Sequence, residues 1–155
     1  MKLVLQSRTE AVEAFILRVM KDDVPEDIQG HLFRYGAVLL CGHLEQCVKI
    51  VIMERLKSRA HPKIINFVKS YFNQGHNLDC QQIKALLDRF DGNWGKEFDL
   101  FVKANDEVKE GISSAYSVRN PIAHGSMASL GGTRLKELFA IVQRLIEGVE
   151  AATRT

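Results

Sequence analysis

The segment LFRYGAVLLCGHLEQCVKIVIMERL, residues 32–56, decides the fold class of this chain. When it is drawn as a helix, apolar side chains occur on nearly every side. Gly30 and Gly42 are weak points for such a helix, whereas Pro25 is well suited to a first helical turn. The pattern predicts a long central helix from Pro25 to about Arg59, buried in a bundle or shared between the bundle and a partner subunit.

Helical patterns continue on both sides of this segment. Ser7 and Glu10 have the spacing of a capping box, which predicts a first helix from there to about Met20. The later predicted helices are 64–72 (started by Pro62), one capped by Asp79 and Gln82, one from about Lys96, one at 105–119, and one from Thr133. With no convincing strand, internal repeat or glycine-rich phosphate loop, the sequence predicts an all-α helical bundle, with residues 1–155 as one domain.

Composition places the chain among ordinary soluble proteins. It has 155 residues, of which 46% are hydrophobic and 26% charged, both normal values for a globular domain. The three cysteines are odd in number, which favours a reducing compartment. The N-terminus turns polar too soon for a signal peptide, and the apolar run 36–44 is too short to cross a bilayer. We therefore expect a cytoplasmic protein without a membrane partner.

The charge distribution leaves nucleic-acid binding open. A net charge of +2 is lower than is usual for dedicated nucleic-acid-binding domains. Residues 49–72 nevertheless contain six basic residues and one acid. A solvated helix surface would account for this run. The alternative is a basic surface patch that follows the phosphate backbone of RNA. Lys57, Arg59 and Lys63 are the candidate RNA-binding residues.

Residues 117–125, SVRNPIAHG, carry the clearest chemical signal. In an uninterrupted helix, Arg119 and His124 would lie about 140° apart. Pro121 disfavours a helical conformation at Asn120, and asparagine is a good N-cap. We therefore expect one helix to end near Arg119 and a short turn to begin at Asn120, so that the guanidinium and imidazole meet. A fixed cation beside a group that titrates near neutrality suits phosphoryl chemistry, although an unrelated surface arginine and packed histidine would show the same spacing.

The central helix holds three further polar candidates. His43 and Cys47 have metal-ligand spacing, but two ligands without a third are better explained as a packed histidine and a buried thiol. The sequence therefore predicts no metal and no cofactor. Glu45 needs a partner if it is buried, because buried carboxylates are rarely unpaired. Arg119 on a neighbouring helix is a candidate partner, and exposure of Glu45 to solvent is the alternative.

With these residues assembled, the chain resembles the HEPN superfamily of small helical bundles. Residues 119–124, RNPIAH, match its Arg-x(4–6)-His motif, including the polar residue after arginine and the position before the last helix. Residues 39–49, LLCGHLEQCVK, are similar to the second-helix signature of the prokaryotic RiboL-PSP/MAE-type branch. Ser126 is a departure, because many toxin–antitoxin members have a tyrosine at that place.

The resemblance implies a metal-independent endoribonuclease, active at a homodimer interface, in toxin–antitoxin or antiviral systems. RNA supplies its own nucleophile, the 2′-OH, so the enzyme needs proton transfer and charge stabilisation. His124 would transfer protons and Arg119 would hold the phosphate, with Asn120 and Glu45 in support. The expected partners are RNA, a second copy of the chain, and an antitoxin or other regulatory protein. The alternative is a non-catalytic HEPN-type module that binds nucleotide, RNA or protein.

Overall fold

The computed structural model describes residues 1–57, 59–124 and 129–154. Over these residues the chain forms helices and no strand, so the predicted all-α bundle is confirmed. The helices are α1 (Lys2–Val19), α2 (Glu26–Leu56), α3 (Pro62–Phe72), α4 (Cys80–Phe90), α5 (Gly92–Lys103), α6 (Asp106–Ala123) and α7 (Gly132–Ala152).

Helix α2 lies at the centre, packed against α1, α3, α6 and α7. Leu40, Leu44 and Val51 are among its almost completely buried side chains. By length and composition this helix could cross a membrane, but 56% of its most apolar window is buried inside the bundle. Burial on several sides explains its apolar surface, as expected for a helix at the core of a bundle.

Capping explains where α3 and α4 begin. The ring Nδ1 of His61 accepts a hydrogen bond of 3.3 Å from the backbone N–H of Lys63. The Asp79 carboxylate accepts one of 2.8 Å from Gln82, as its sequence spacing predicts. Each cap satisfies one of the N–H groups that a helix leaves without an internal partner.

Two predicted helix starts are wrong. Helix α1 begins at Lys2, so Ser7 lies inside it and is not its cap. Helix α5 begins at Gly92 instead of near Lys96, because the Asp91 side chain accepts a hydrogen bond from the second residue after it. In both cases the helix begins further towards the N-terminus than the sequence pattern predicts.

The predicted helix break at Pro121 is also wrong. Helix α6 continues to Ala123 with the proline inside it, so Asn120 is a helical residue and not an N-cap. A proline removes one helical hydrogen bond, here to the carbonyl of Ser117. Helix α6 tolerates the loss because only the last turn is affected and the preceding turns pack against α2 and α7.

Each of the helices from α1 to α7 contributes to one hydrophobic core. Its fully buried side chains include Phe98 of α5, Ile112 of α6, and Leu138 and Leu145 of α7. Burial of each such side chain stabilises the fold by about 1.5–3 kcal/mol. This core holds α6 beside α2, and thereby brings Arg119 of the Arg-x4-His motif near Glu45.

Candidate functional site

Arg119 lies in the last third of α6 and is held by two amide oxygens. Its Nη1 donates to Oδ1 of Asn77 at 2.8 Å and to Oδ1 of Asn120 at 3.2 Å. Within the described part of the chain, the other edge of the guanidinium, Nε and Nη2, makes no hydrogen bond to protein. That edge has the geometry for two parallel hydrogen bonds to a phosphate.

Asn77 belongs to the connection between α3 and α4, residues 73–79. Gly75 has a φ of 67°, in the left-handed region, which lets the chain turn after α3. The His76 ring stacks on Tyr71 with centroids 4.2 Å apart, and its Nε2 lies 2.8 Å from the Tyr71 carbonyl oxygen. The backbone N–H of Leu78 donates to the Tyr116 hydroxyl at 2.9 Å. These contacts hold the connection against α6.

Glu45 of α2 shares this environment. Its Oε1 is buried and has no hydrogen-bond partner in the part of the chain that the structure describes. Burial raises the pKa of this carboxyl, against the opposing effects of the Arg119 charge, the His76 backbone N–H and the Tyr116 hydroxyl. Among the described ion pairs none joins Glu45 to Arg119. The carboxylate is thus near enough to Arg119 to feel its charge, without pairing with it directly.

We call Arg119, Asn77, Asn120 and Glu45 the Arg119 cluster. Two neutral side chains lie beside this cluster. Burial raises the pKa of the Cys41 thiol to about 12, in spite of the nearby Arg119 charge. The thiolate, not the thiol, is the reactive nucleophile, so Cys41 packs as an apolar group. Burial likewise raises the pKa of Tyr116, whose hydroxyl stays protonated and serves as a hydrogen-bonding group. The chemistry of the cluster therefore rests on Arg119, the amides and Glu45.

His124 forms the C-cap of α6 and its side chain is exposed. Its backbone N–H donates to the carbonyls of Asn120 and Pro121 at 3.2 and 3.1 Å. Because α6 is continuous, Arg119 and His124 are separated by about 140° around its axis and about 7.5 Å along it. The helix break that was expected to bring them together is absent, since α6 continues to Ala123. Ser126 lies outside the described residues.

The predicted basic surface patch lies at a distance from Arg119. Lys57, Arg59 and Lys63 are all exposed and lie around the junction of α2 and α3. Helix α3 has 11 residues, a length of about 16 Å, and leads from this junction to the connection that contains Asn77. The structure brings Arg119, Asn120 and Glu45 together and leaves the three basic residues at the far end of α3, so RNA binding there stays a prediction.

His43 is a packed histidine in a polar pair. It is buried, with its Nε2 3.2 Å from Nε2 of Gln143 and its ring 3.7 Å from the Cys47 sulfur. Burial lowers the pKa of His43 to about 4 and raises that of Cys47 to about 11. No group of three or more potential metal ligands lies together in the described ranges.

Sequence reasoning missed Asn77 and His76. Asn77 is 42 positions away from Arg119, and the sequence carries no motif that links the two. His76 drew no role because it stands among turn residues. The available signal was only compositional: a polar HN pair that precedes the helix cap Asp79 by one residue, Leu78.

The RiboL-PSP-HEPN family model matches residues 4–152. The match includes both the α2 segment around Glu45 and the α6 motif from Arg119 to His124. No curated protein and no solved structure matches the chain. Because the family model covers nearly the whole chain and the fold is all-helical, this chain belongs to the RiboL-PSP-HEPN family.

Proposed function

We propose that this protein is a metal-independent endoribonuclease that cleaves single-stranded RNA through its 2′-OH, as a toxin or antiviral-defence effector. The observation that carries the proposal is the arrangement of Arg119. Its guanidinium is fixed from one side by Asn77 and Asn120, while its bidentate edge has no hydrogen-bond partner among the described residues. In a HEPN-family chain, that edge is a suitable place for the scissile phosphate.

Arg119 would act on the charge of the transition state. Attack of the 2′-oxygen on phosphorus puts additional negative charge on the non-bridging oxygens, and two guanidinium hydrogen bonds stabilise it. Asn120 and Asn77 would position the guanidinium, because their amide oxygens prevent it from rotating. Glu45 would reduce the excess positive charge in the cluster. Because no described ion pair joins it to Arg119, it would leave the guanidinium Nε and Nη2 available to the phosphate.

His124 would transfer the protons. An imidazole can take the proton of the 2′-OH or give one to the leaving 5′-oxygen, and one cleavage step needs both. Two copies of the chain around a two-fold axis would supply a base, an acid and two cations. The separation of Arg119 and His124 on α6 also favours a site in which the two groups come from different protomers.

The same separation is the specific observation in favour of the second candidate, a non-catalytic module. An arginine that binds phosphate without a nearby histidine would bind nucleotide or RNA and leave it intact. The two candidates differ in one outcome, namely whether the bound RNA is cut.

Incubation of the pure protein with end-labelled single-stranded RNA in EDTA tests the proposal. We expect products with 2′,3′-cyclic phosphate and 5′-hydroxyl ends, and no cleavage of DNA of the same sequence, because DNA lacks the 2′-OH. His124→Ala and Arg119→Ala should each remove most of the activity, by roughly 100-fold or more. Arg119→Lys should restore it only in part, since an ammonium lacks the bidentate edge.

Matched substitutions of exposed residues provide the controls. His31→Ala and Arg18→Ala, both outside the cluster, should cleave RNA at the wild-type rate, and all variants should keep the helical circular-dichroism signal. A requirement for added divalent metal, 5′-phosphate products, or full activity of His124→Ala would contradict the mechanism. Binding without any cleavage would favour the non-catalytic module.

A further inference from the structure

Helix α3 exposes apolar side chains that the bundle core does not use. Phe67 is 71% exposed and Ile64 is 52% exposed. Beside them a groove of about 210 Å³ runs between α3 and α4, lined by Phe67, Val68, Tyr71, Leu86, Arg89 and Phe90. The lining is mainly apolar and aromatic, with Arg89 as its one charged group.

The groove connects to the candidate site through a chain of contacts. Lys63, Phe67 and Tyr71 are spaced four residues apart, so they follow one another along a single face of α3 over about 12 Å. The Tyr71 ring stacks on His76. The residue after it, Asn77, accepts the hydrogen bond from Arg119. A line of one cation and two aromatic rings thus leads to the guanidinium of the motif.

The charge around the groove is suited to a polyanion. Helix α3 carries Lys63 and Lys69 and no acidic residue, and Arg89 stands on the α4 side. Aromatic rings on which bases stack, flanked by cations that track the backbone, are the common features of single-stranded nucleic-acid sites. A protein partner needs the apolar surface but has no general need for cations on both sides.

We propose that this α3 face binds the single-stranded RNA that flanks the scissile phosphate, with a base stacked on Phe67 and backbone phosphates near Lys63 and Arg89. The inference rests on the proposed function, because it takes the phosphate at Arg119 as the point from which the strand extends. It also gives the predicted Lys63 a place in a continuous path to the site.

Fluorescence anisotropy with a labelled, fully 2′-O-methylated RNA oligonucleotide tests this, since the blocked 2′-oxygen allows binding without cleavage. Phe67→Ala should raise the Kd about fivefold or more, which corresponds to ~1 kcal/mol or more for one stacked base. Phe67→Trp should bind within about twofold of the wild type, because it keeps a stacking ring. Lys63→Glu should weaken binding and reduce its salt dependence.

Two substitutions elsewhere are matched controls. Leu100→Ala removes a 52% exposed apolar side chain of α5, and Lys96→Glu reverses an exposed charge on the same helix. Both should bind RNA like the wild type. Because Phe67 is largely exposed, its variants should also keep the wild-type melting temperature.

Wild-type affinity of Phe67→Ala, equal losses in the controls, or a wild type that binds no RNA would each overturn the proposal. The proposal would also be overturned if Phe67→Ala lost its oligomeric state and kept its RNA affinity. That result would mean that the α3 face contacts a protein. A wild type that binds the oligonucleotide through Phe67 but cuts no unmodified RNA would contradict the proposed function alone. Normal cleavage with unchanged Phe67→Ala affinity would contradict the α3 proposal alone.

Discussion

At the scale of single residues, the candidate site depends on what holds one guanidinium. Asn120 neighbours Arg119 in sequence, whereas Asn77 reaches it from another part of the chain at 2.8 Å. An arginine side chain has many rotamers, and fixing it in advance removes an entropic cost from phosphate binding. Because Asn77 makes the shorter of the two hydrogen bonds, we expect it to position the Arg119 guanidinium for phosphate binding.

Asn77→Ala should lower the rate of RNA cleavage about tenfold to 100-fold, because a hydrogen bond to a charged group contributes ~1.5–3 kcal/mol. The loss should depend on Arg119: in an Arg119→Ala background, the same substitution should have almost no further effect. Cleavage assays on the four proteins of this double-mutant cycle measure the coupling.

Asn73→Ala is the control for Asn77, since Asn73 is an exposed asparagine of the same connection whose side chain accepts a hydrogen bond from Lys49 instead of Arg119. It should cleave RNA like the wild type. Losses that simply add in the double mutant would mean that Asn77 acts independently of Arg119, and the positioning role would be wrong.

At the scale of elements, the close approach of α5 and α7 depends on one glycine. Gly148 of α7 lies against the Phe101 ring of α5, and a Cβ built there would lie 2.6 and 2.7 Å from Cδ1 and Cζ of that ring. These distances are shorter than van der Waals contact. Helix α5 can approach α7 this closely only because residue 148 has no side chain.

Gly148→Ala should lower the free energy of unfolding by about 1–3 kcal/mol, the usual cost of overpacking a core. Gly30→Ala is the matched control, because beyond its chain neighbours and the local helix backbone no described atom lies within 4 Å of a Cβ at that position. It should stabilise the protein by about 0.5–1 kcal/mol through helix propensity. Urea denaturation of both variants measures the difference, and a stable Gly148→Ala protein would contradict the packing argument.

At the scale of the whole molecule, the proposed dimer accounts for two observations. The exposed His124 lies on a different side of α6 from Arg119, and one histidine cannot be both acid and base in a single step. Pairing around a two-fold axis would bring two copies of each group together. The dimer also agrees with the apolar pattern of α2, of which part remains outside the bundle core.

Mixed dimers test the composite site. In a dimer of one wild-type and one His124→Ala chain, a shared site would lack one proton-transfer group, so the activity should fall far below half of the wild-type value. Two independent sites would retain half. Differently tagged chains allow the mixed species to be purified, and light scattering at micromolar concentration establishes the assembly. A fully active monomer would leave the composite site without support.

Local signals in the sequence were sufficient for most of the architecture. The apolar pattern of 32–56 predicted the central helix, and Asp79 with Gln82 predicted the start of α4, because caps and periodicity involve residues a few positions apart. The RNPIAH motif and the α2 signature were also enough to indicate the family, which the match over residues 4–152 confirms.

Only the tertiary structure decided the environment of Arg119. Pro121 favours a helix break locally, but packing of α6 against α2 and α7 outweighs one lost hydrogen bond in the last turn. Asn77, His76 and Glu45 reach the same cluster from two other elements. Local propensities act over a few residues, whereas these contacts follow from burial of the whole core. The sequence by itself therefore determined the helices and the motif, and the packing of the bundle decided which side chains surround it.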